Sequence, residues 1–356
     1  MIFYYLLYFF LAFKSIEETQ AFNTFKKQTQ NLLIIFFSLF IGLRNEVGCD
    51  WDQYLGIFQN VKDGLIENWA TLEPAYFTLN SIFSNFEFGI YLVNAVCALI
   101  FSYCLIKFCQ SLPRPWLGLT VAFPYFIIVV AMGYTRQSVS IALFLLAFLG
   151  LEKGQFYRST FYILLGMLFH RSGGFFLFAP FIYTFQNPTR FSNFLRIILM
   201  IPLGYYFISE FIISRFDRFI IGYLNTSLNS SGSFLRVLLC FIPAVIFIFN
   251  INKFKISKIA KKVFLVFSLS SILALFALPL VSSSTAVDRT ALNFLPIQVL
   301  VASHLPDTGI LKFDKFTWKV LIVLAVFFVL SIWLIYAKHS FCWIPYRNII
   351  FSTVVL

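Results

Sequence analysis

The run Val320 to Ala337, VLIVLAVFFVLSIWLIYA, holds no acid and no base and is bracketed by Lys319 and Lys338. As an α-helix rising about 1.5 Å per residue it is ~27 Å long, close to the ~30 Å hydrocarbon core of a bilayer. Lipid offers the backbone no hydrogen bonds, so such a run reads as a membrane-spanning helix. Comparable runs recur along the whole chain, centred on residues 2–13, 32–43, 89–106, 116–132, 137–151 and 160–170. The second half adds 173–186, 197–210, 234–250, 263–281 and 290–305. The expected fold is all-α, a polytopic integral membrane protein of about twelve spans, several short enough to need tilt or interfacial extension. The pair of runs flanking His170 also reads as one interrupted hairpin.

Composition agrees. Of the 356 residues, 60% are hydrophobic and only 12% charged, against roughly 25% charged in soluble domains. No soluble segment of domain size intervenes, so residues 1–356 form one membrane domain, with a large outer loop at 44–88. The later part of that loop, Phe77 to Phe86, is apolar enough for a helix lying in the membrane interface. Met1 to Phe13 lacks a preceding positive charge and a following small-residue cleavage site, so it reads as a retained first span. Six cysteines show no CxxC pairing and no histidine at metal-ligand spacing, and four lie inside apolar runs. They are expected as buried free thiols. No metal cluster and no P-loop is present, so neither metal nor nucleotide cofactor is expected.

The net charge of +12 does not imply nucleic acid. Thirteen of the fifteen lysines fall in the alternate set of loops 14–31, 107–115, 152–159, 187–196, 251–262 and 306–319. By the positive-inside rule those loops are cytoplasmic, and both termini then face outward. Arginine behaves differently. Arg44, Arg136, Arg171, Arg215, Arg218, Arg236, Arg289 and Arg347, eight of the twelve, lie outside or at the outer ends of spans. Insertion disfavours them there, so another reason must keep them.

That reason is sought in phosphate. Guanidinium grips a phosphate in a planar fork, whereas lysine offers a point charge. Arg136, Arg171, Arg236 and Arg289 are each expected near the start of an inward-running helix, whose free N–H groups favour anions. Snorkelling to headgroups or pairing with a carboxylate is the plainer reading of any one of them. Carboxylates gather outside too: the stretch Arg44 to Tyr54 carries Asp50, and Glu73-Pro74-Ala75-Tyr76 follows. Carboxylates, amides and aromatics together suit a sugar, and a carboxylate can take the proton of an attacking hydroxyl. His170-Arg171-Ser172-Gly173 forms a tight outer turn, where the imidazole serves as structural hydrogen-bonder, base or phosphate contact. Asp288 either caps a helix or orients Arg289.

At these residues the sequence resembles the EpsG/Wzy family of bacterial polysaccharide polymerases. Arg44…Val47-Gly48-Cys49-Asp50-Trp51…Tyr54 is similar to the family's R-x-x-V-G-T-D-Y-x-x-Y signature, with Cys49 and Trp51 replacing Thr and Tyr. Glu73-Pro74-Ala75-Tyr76 resembles E-P-G-Y. Arg136-Gln137 with Ala142 resembles R-Q-x-(I/L)-A, interrupted by Ser140. His170-Arg171-Ser172-Gly173 resembles H-R-S-A, Asp288-Arg289…Phe294…Pro296 a D-R-x-x-x-Y-x-x-P element, and Trp343-Ile344-Pro345-Tyr346 the closing W-x-P-Y.

The resemblance implies a multi-span, GT-C-like glycosyltransferase of the bacterial inner membrane with its active site facing outward. Its donor and acceptor would be undecaprenyl-pyrophosphate-linked glycans. The other partners implied are membrane lipids, and a chain-length regulator and flippase of the same pathway. The site residues expected are Asp50, Glu73 or His170 as base, with Arg44, Tyr54, Tyr76, Arg136, Gln137, Arg171, Asp288 and Arg289 binding substrate. Two other activities fit the same residues: a flippase of lipid-linked sugars, and a ligase moving finished glycan to another acceptor. A flippase is expected to show paired halves and broken helices, and the sequence shows neither clearly.

Overall fold

The computed structural model describes residues 1–19, 21, 25–66, 72–186, 190–209, 230, 232–281 and 283–352. Arg215 and Arg218 lie outside the described residues. The apolar runs become helices because a backbone away from water must satisfy its own hydrogen bonds. In chain order these are α1 (Ile2–Glu17), α2 (Lys27–Gly42), α3 (Trp51–Lys62), α4 (Pro74–Phe83), α5 (Gly89–Ser111) and α6 (Pro115–Ala122). A π-helical stretch, Phe123–Ala131, continues α6. Then come α7 (Thr135–Glu152), α8 (Phe156–Phe169), α9 (Phe178–Gln186) and α10 (Arg190–Phe207). The rest are α11 (Ser233–Phe249), α12 (Lys258–Ala277), α13 (Ser284–Ala291), α14 (Pro296–His304), α15 (Lys315–Tyr336) and α16 (Ile349–Ser352). Among the described residues no strand forms; the nearest approach is an isolated bridge between Arg44 and Asn348. Among the described residues four helices, α5, α7, α12 and α15, are long and apolar enough to cross a membrane.

α7 is the central post. It is buried along most of its length, and α5, α8, α9 and α12 pack around it. Ser140, which breaks the small-apolar pattern in sequence, has a packing role here. A Cβ on Gly173 would lie 2.4 Å from the Ser140 Oγ, and one on Gly166 would lie 3.2 Å from the Ser140 carbonyl. Small residues at both positions let α8 and the turn after it close on α7. Phenylalanines fill the space beyond: Phe144 stacks on Phe176 at 4.4 Å, and Phe264 and Phe267 meet the same cluster. Against lipid the hydrophobic drive is small, so these rings act through close van der Waals contact.

Three local features depart from the sequence reading. The run expected as one helix at 290–305 is broken: α13 ends at Ala291, a 3₁₀ turn spans Leu292–Phe294, and α14 restarts at Pro296. Asn293 and Pro296 supply the reason, since proline cannot continue the upstream hydrogen bonds. The stretch after His170 is likewise a 3₁₀ segment, Arg171–Leu177, running into α9. The outer loop holds two helices, α3 and α4, rather than one.

The two ends of the bundle differ in charge. At one end, the C-terminal turn of α7 and the starts of α12 and α15 carry Lys153, Lys258 and Lys315. At the other, α7 begins beside Arg44, Arg136 and Arg289. The bundle thus has a lysine end and an arginine end.

Candidate functional site

Arg136 sits in the first turn of α7, where the sequence reading expects it. Its guanidinium lies over two tyrosine rings, 5.8 Å from the centroid of Tyr54 and 5.6 Å from that of Tyr76. Its Nη1 donates to Glu73 at 2.5 Å. Its Nε has no protein acceptor. The aromatic faces hold the cation by their quadrupoles and fix its plane. Tyr76 is fully buried and Tyr54 nearly so, so both serve as the floor beneath Arg136. They were expected to touch substrate directly; their burial places them one layer below.

Arg289 is the second cation of the site. It lies over the ring of Tyr134 at 5.3 Å and 3.8 Å from the Asp50 carboxylate, with its side chain half exposed. It does not sit at a helix start, as expected, but in the last turn of α13. The dipole argument therefore holds for Arg136 and not for Arg289, which contributes charge alone. Arg171 opens the 3₁₀ segment and is half-buried.

Asp50 stands at the N-terminus of α3. Burial pushes its carboxyl above the ordinary carboxylate range, although Arg289 and Arg136 pull in the other direction. Glu73 behaves oppositely. Burial alone would raise it, but Arg136, with His170 behind it, overrides that and holds the carboxyl low. Of the two carboxylates, Asp50 is thus the stronger proton acceptor. His170 Nδ1 lies 2.6 Å from the Ser172 hydroxyl and accepts the Ser172 backbone N–H at 3.3 Å. That turn keeps Nδ1 occupied in local structure.

Three other expected contacts turn inward. Arg44 is buried, with Nε donating to the Val47 carbonyl at 3.1 Å, Nη1 to Ile41 at 2.8 Å and Nη2 to Thr135 Oγ1 at 2.9 Å. It staples the loop to α7 and spends its nitrogens doing so. Gln137 Nε2 donates to the Arg289 carbonyl at 2.9 Å and to Asn293 Oδ1 at 3.3 Å. Asp288 neither caps a helix nor orients Arg289: it accepts a fork from Arg236, at 2.8 Å from Nε and 2.7 Å from Nη2.

Sequence reasoning missed several members. Tyr134, immediately before α7, floors Arg289. Asn293 collects Gln137 and the Ser172 hydroxyl, the latter at 3.3 Å; its place four residues after Arg289, on one helical face, was the available signal. A disulfide, Cys49–Cys342, was missed as well. The expectation of free buried thiols holds for Cys97, Cys104, Cys109 and Cys240, and fails for the two cysteines outside the apolar runs. A cleft of ≈400 Å³ opens at the other end of the bundle, beside Lys107, Lys153 and Arg158. Its cations are those of the topology-setting loops.

Together these features define a class: a helical membrane protein with a cluster of arginines, carboxylates and tyrosines built at one end around the start of a central helix. The chain belongs to the EpsG family, whose model matches residues 29–348. The matched region contains every site residue named from the sequence. No curated protein and no solved structure matches the chain significantly. Membership in this family implies a polysaccharide polymerase of glycosyltransferase type.

Proposed function

We propose that the protein joins lipid-linked oligosaccharide repeats at the outer face of the cytoplasmic membrane, using undecaprenyl-pyrophosphate-linked donor and acceptor. In this reading the chain crosses the membrane about twelve times in a GT-C-like arrangement, with α3 and α4 in the outer interface. The observation that carries it is the pairing of two incompletely satisfied arginines, Arg136 and Arg289, with a carboxylate of raised proton affinity, Asp50. The Cys49–Cys342 disulfide supports the orientation, because disulfides persist in oxidising compartments and not in the cytoplasm. It therefore agrees with the lysine count that the arginine end faces out.

The acceptor hydroxyl oxygen attacks the anomeric carbon of the donor, and its proton passes to Asp50. The bond from that carbon to the pyrophosphate oxygen breaks, and lipid pyrophosphate leaves with the electron pair. Charge grows on the leaving oxygens, where Arg136 and Arg289 stabilise it more in the transition state than in the ground state. Glu73 sets the plane of Arg136; Arg171 and His170 border the donor phosphates. Tyr54 and Tyr76 support the clamp from below. No metal ion takes part in this scheme.

One observation favours the flippase reading, the helix break at Leu292–Phe294, since transporters use such breaks as binding sites. Asn293, however, is tied to Gln137 and Ser172, which makes the break part of the site wall. Reconstitution with purified lipid-linked repeats separates the readings. The polymerase reading expects a ladder of lengthened glycans. Translocation without elongation means a flippase, and single transfer to a different acceptor means a ligase.

A further inference from the structure

After α15 the chain turns back across the arginine end. Cys342 is bonded to Cys49, and its carbonyl accepts the Gly48 N–H at 2.8 Å. The Asn45 N–H donates to the Arg347 carbonyl at 3.0 Å, and the Ile349 N–H to the Leu43 carbonyl at 2.9 Å. Arg347 also pairs with Glu46. Between these ties Trp343 is buried, its indole N–H donating to the Ile128 carbonyl at 2.9 Å within the π-helical stretch.

The loop is pressed flat by the same contacts. Gly48 has φ +99°, and a Cβ there would lie 2.5 Å from the Met132 carbonyl. A Cβ on Gly133 would lie 2.8 Å from the Trp343 ring. The loop, the turn before α7 and Trp343 are therefore stacked with no room for a side chain at either glycine. Asp50 directly follows Cys49, and Tyr134 and Arg136 directly follow the turn. Whatever fixes residues 48–49 against residues 132–133 also fixes Asp50 relative to both arginines.

We propose that residues 340–348 form a strap, locked by the Cys49–Cys342 bond, that positions Asp50 against Arg136 and Arg289. The strap closes by loss of two thiol hydrogens to an external oxidant of the thiol–disulfide exchange class, which keeps electrons in balance. That step is available outside the cytoplasm. The polymerase consequently becomes competent only once its arginine end has been translocated. Cys49, Cys342 and Trp343 are positioning residues and touch no substrate.

This rests on the polymerase reading, and the test separates the two. Full-length wild type, Cys49→Ser/Cys342→Ser, Trp343→Ala, Trp343→Phe and Asp50→Asn are reconstituted in vesicles with purified lipid-linked repeats. Wild type should expose four titratable thiols after denaturation, not six. The double serine variant should lose at least tenfold in kcat with KM within twofold. Its acid limb should move down toward the ordinary carboxylate value, because a released Asp50 re-enters water. Trp343→Phe should restore most of what Trp343→Ala loses. Six titratable thiols in wild type, or a double variant with unchanged kcat and acid limb, overturns the strap. If Asp50→Asn is dead while the double variant is fully active, only the strap falls. If Asp50→Asn polymerises normally, the assignment of Asp50 falls and takes the strap with it.

Discussion

Arg114 and Arg136 are both arginines beside long buried helices, at opposite ends of the same bundle, and they are satisfied very differently. At the lysine end Arg114 is completely buried and saturated. Its Nε and Nη2 fork onto Asp307 at 3.0 and 3.1 Å, and Nη1 donates to the Glu18 carbonyl at 2.9 Å. Lys315 adds a second cation to Asp307 at 3.0 Å, and Lys319 donates to the Ile16 carbonyl at 2.5 Å. At the arginine end Arg136 makes one short bond to Glu73 and keeps an unsatisfied Nε, while Arg289 meets Asp50 at only 3.8 Å. A saturated cation closes a joint between helices. An unsaturated one, held over an aromatic face, is what the proposed clamp requires, since it keeps a donor for an anion from outside the protein. Arg44 and Arg236 belong to the first kind although they lie at the arginine end, which is why position alone does not identify a phosphate ligand.

The sharpest way to break this comparison is to truncate one arginine of each kind. Arg136→Ala or Arg289→Ala should lower polymer formation about 10²–10³-fold, with normal amounts of protein in the membrane. Arg114→Ala should do the reverse. It removes the two-bond fork on Asp307 and leaves Lys315 as that carboxylate's remaining cation, at a cost of about 1.5–3 kcal/mol, so folded protein falls while its specific activity is kept. Equal specific-activity losses at both ends, measured per folded molecule, would remove the distinction.

A smaller effect concerns which carboxylate is the base. Glu73→Gln leaves Arg136 without its ion pair and should lower kcat about tenfold, an effect of ~1.4 kcal/mol. It should leave the acid limb of the pH profile where it was, because Glu73 is held ionised below the working range. The limb belongs to Asp50. It should fall above the ordinary aspartate value of about 3.9, activity rising as pH increases through it. The residual activity of Arg289→Ala should show the limb moved higher still, since Arg289 is the first of the two cations that lower it. A limb that moves with Glu73 and not with Arg289 would exchange the two roles.

The smallest effect is expected at the lysine end. Ser257 caps α12 by accepting the Ala260 N–H at 3.0 Å and also donates to Glu152. Ser257→Ala should cost about 1 kcal/mol in thermal stability and leave polymerisation unchanged.

The helices were legible in the sequence because apolarity and length report them directly. The apolar runs named from the sequence form helices over most of their described length, with a turn after Ala277 and a break at Leu292–Phe294. Their irregularities were not legible: an apolar run looks the same whether its backbone is α, π or 3₁₀, so Phe123–Ala131 and Leu292–Phe294 gave no warning. The lysine-rich loops marked one end of the bundle, and Lys153, Lys258 and Lys315 do lie together away from Arg44, Arg136 and Arg289. Partner selection was not legible. Asp288 was read against its neighbour Arg289 but bonds Arg236, and Cys49 pairs with a cysteine 293 residues away. Those choices are made by packing around α7, which brings together segments with no local mark of their association. For Arg136 the helix start was legible, but its partners Glu73, Tyr54 and Tyr76 were not, because they come from a loop some sixty to eighty residues away.

The central claim is that Arg136 and Arg289 grip the pyrophosphate of the lipid-linked donor. The direct measurement is the affinity of purified full-length protein for undecaprenyl-pyrophosphate-linked repeat unit, compared among wild type, Arg136→Ala/Arg289→Ala and Arg236→Ala. The account predicts that the double variant binds at least a hundredfold more weakly. Arg236→Ala, assayed on its folded fraction, should bind within a few fold of wild type. Unchanged affinity in the double variant would contradict it.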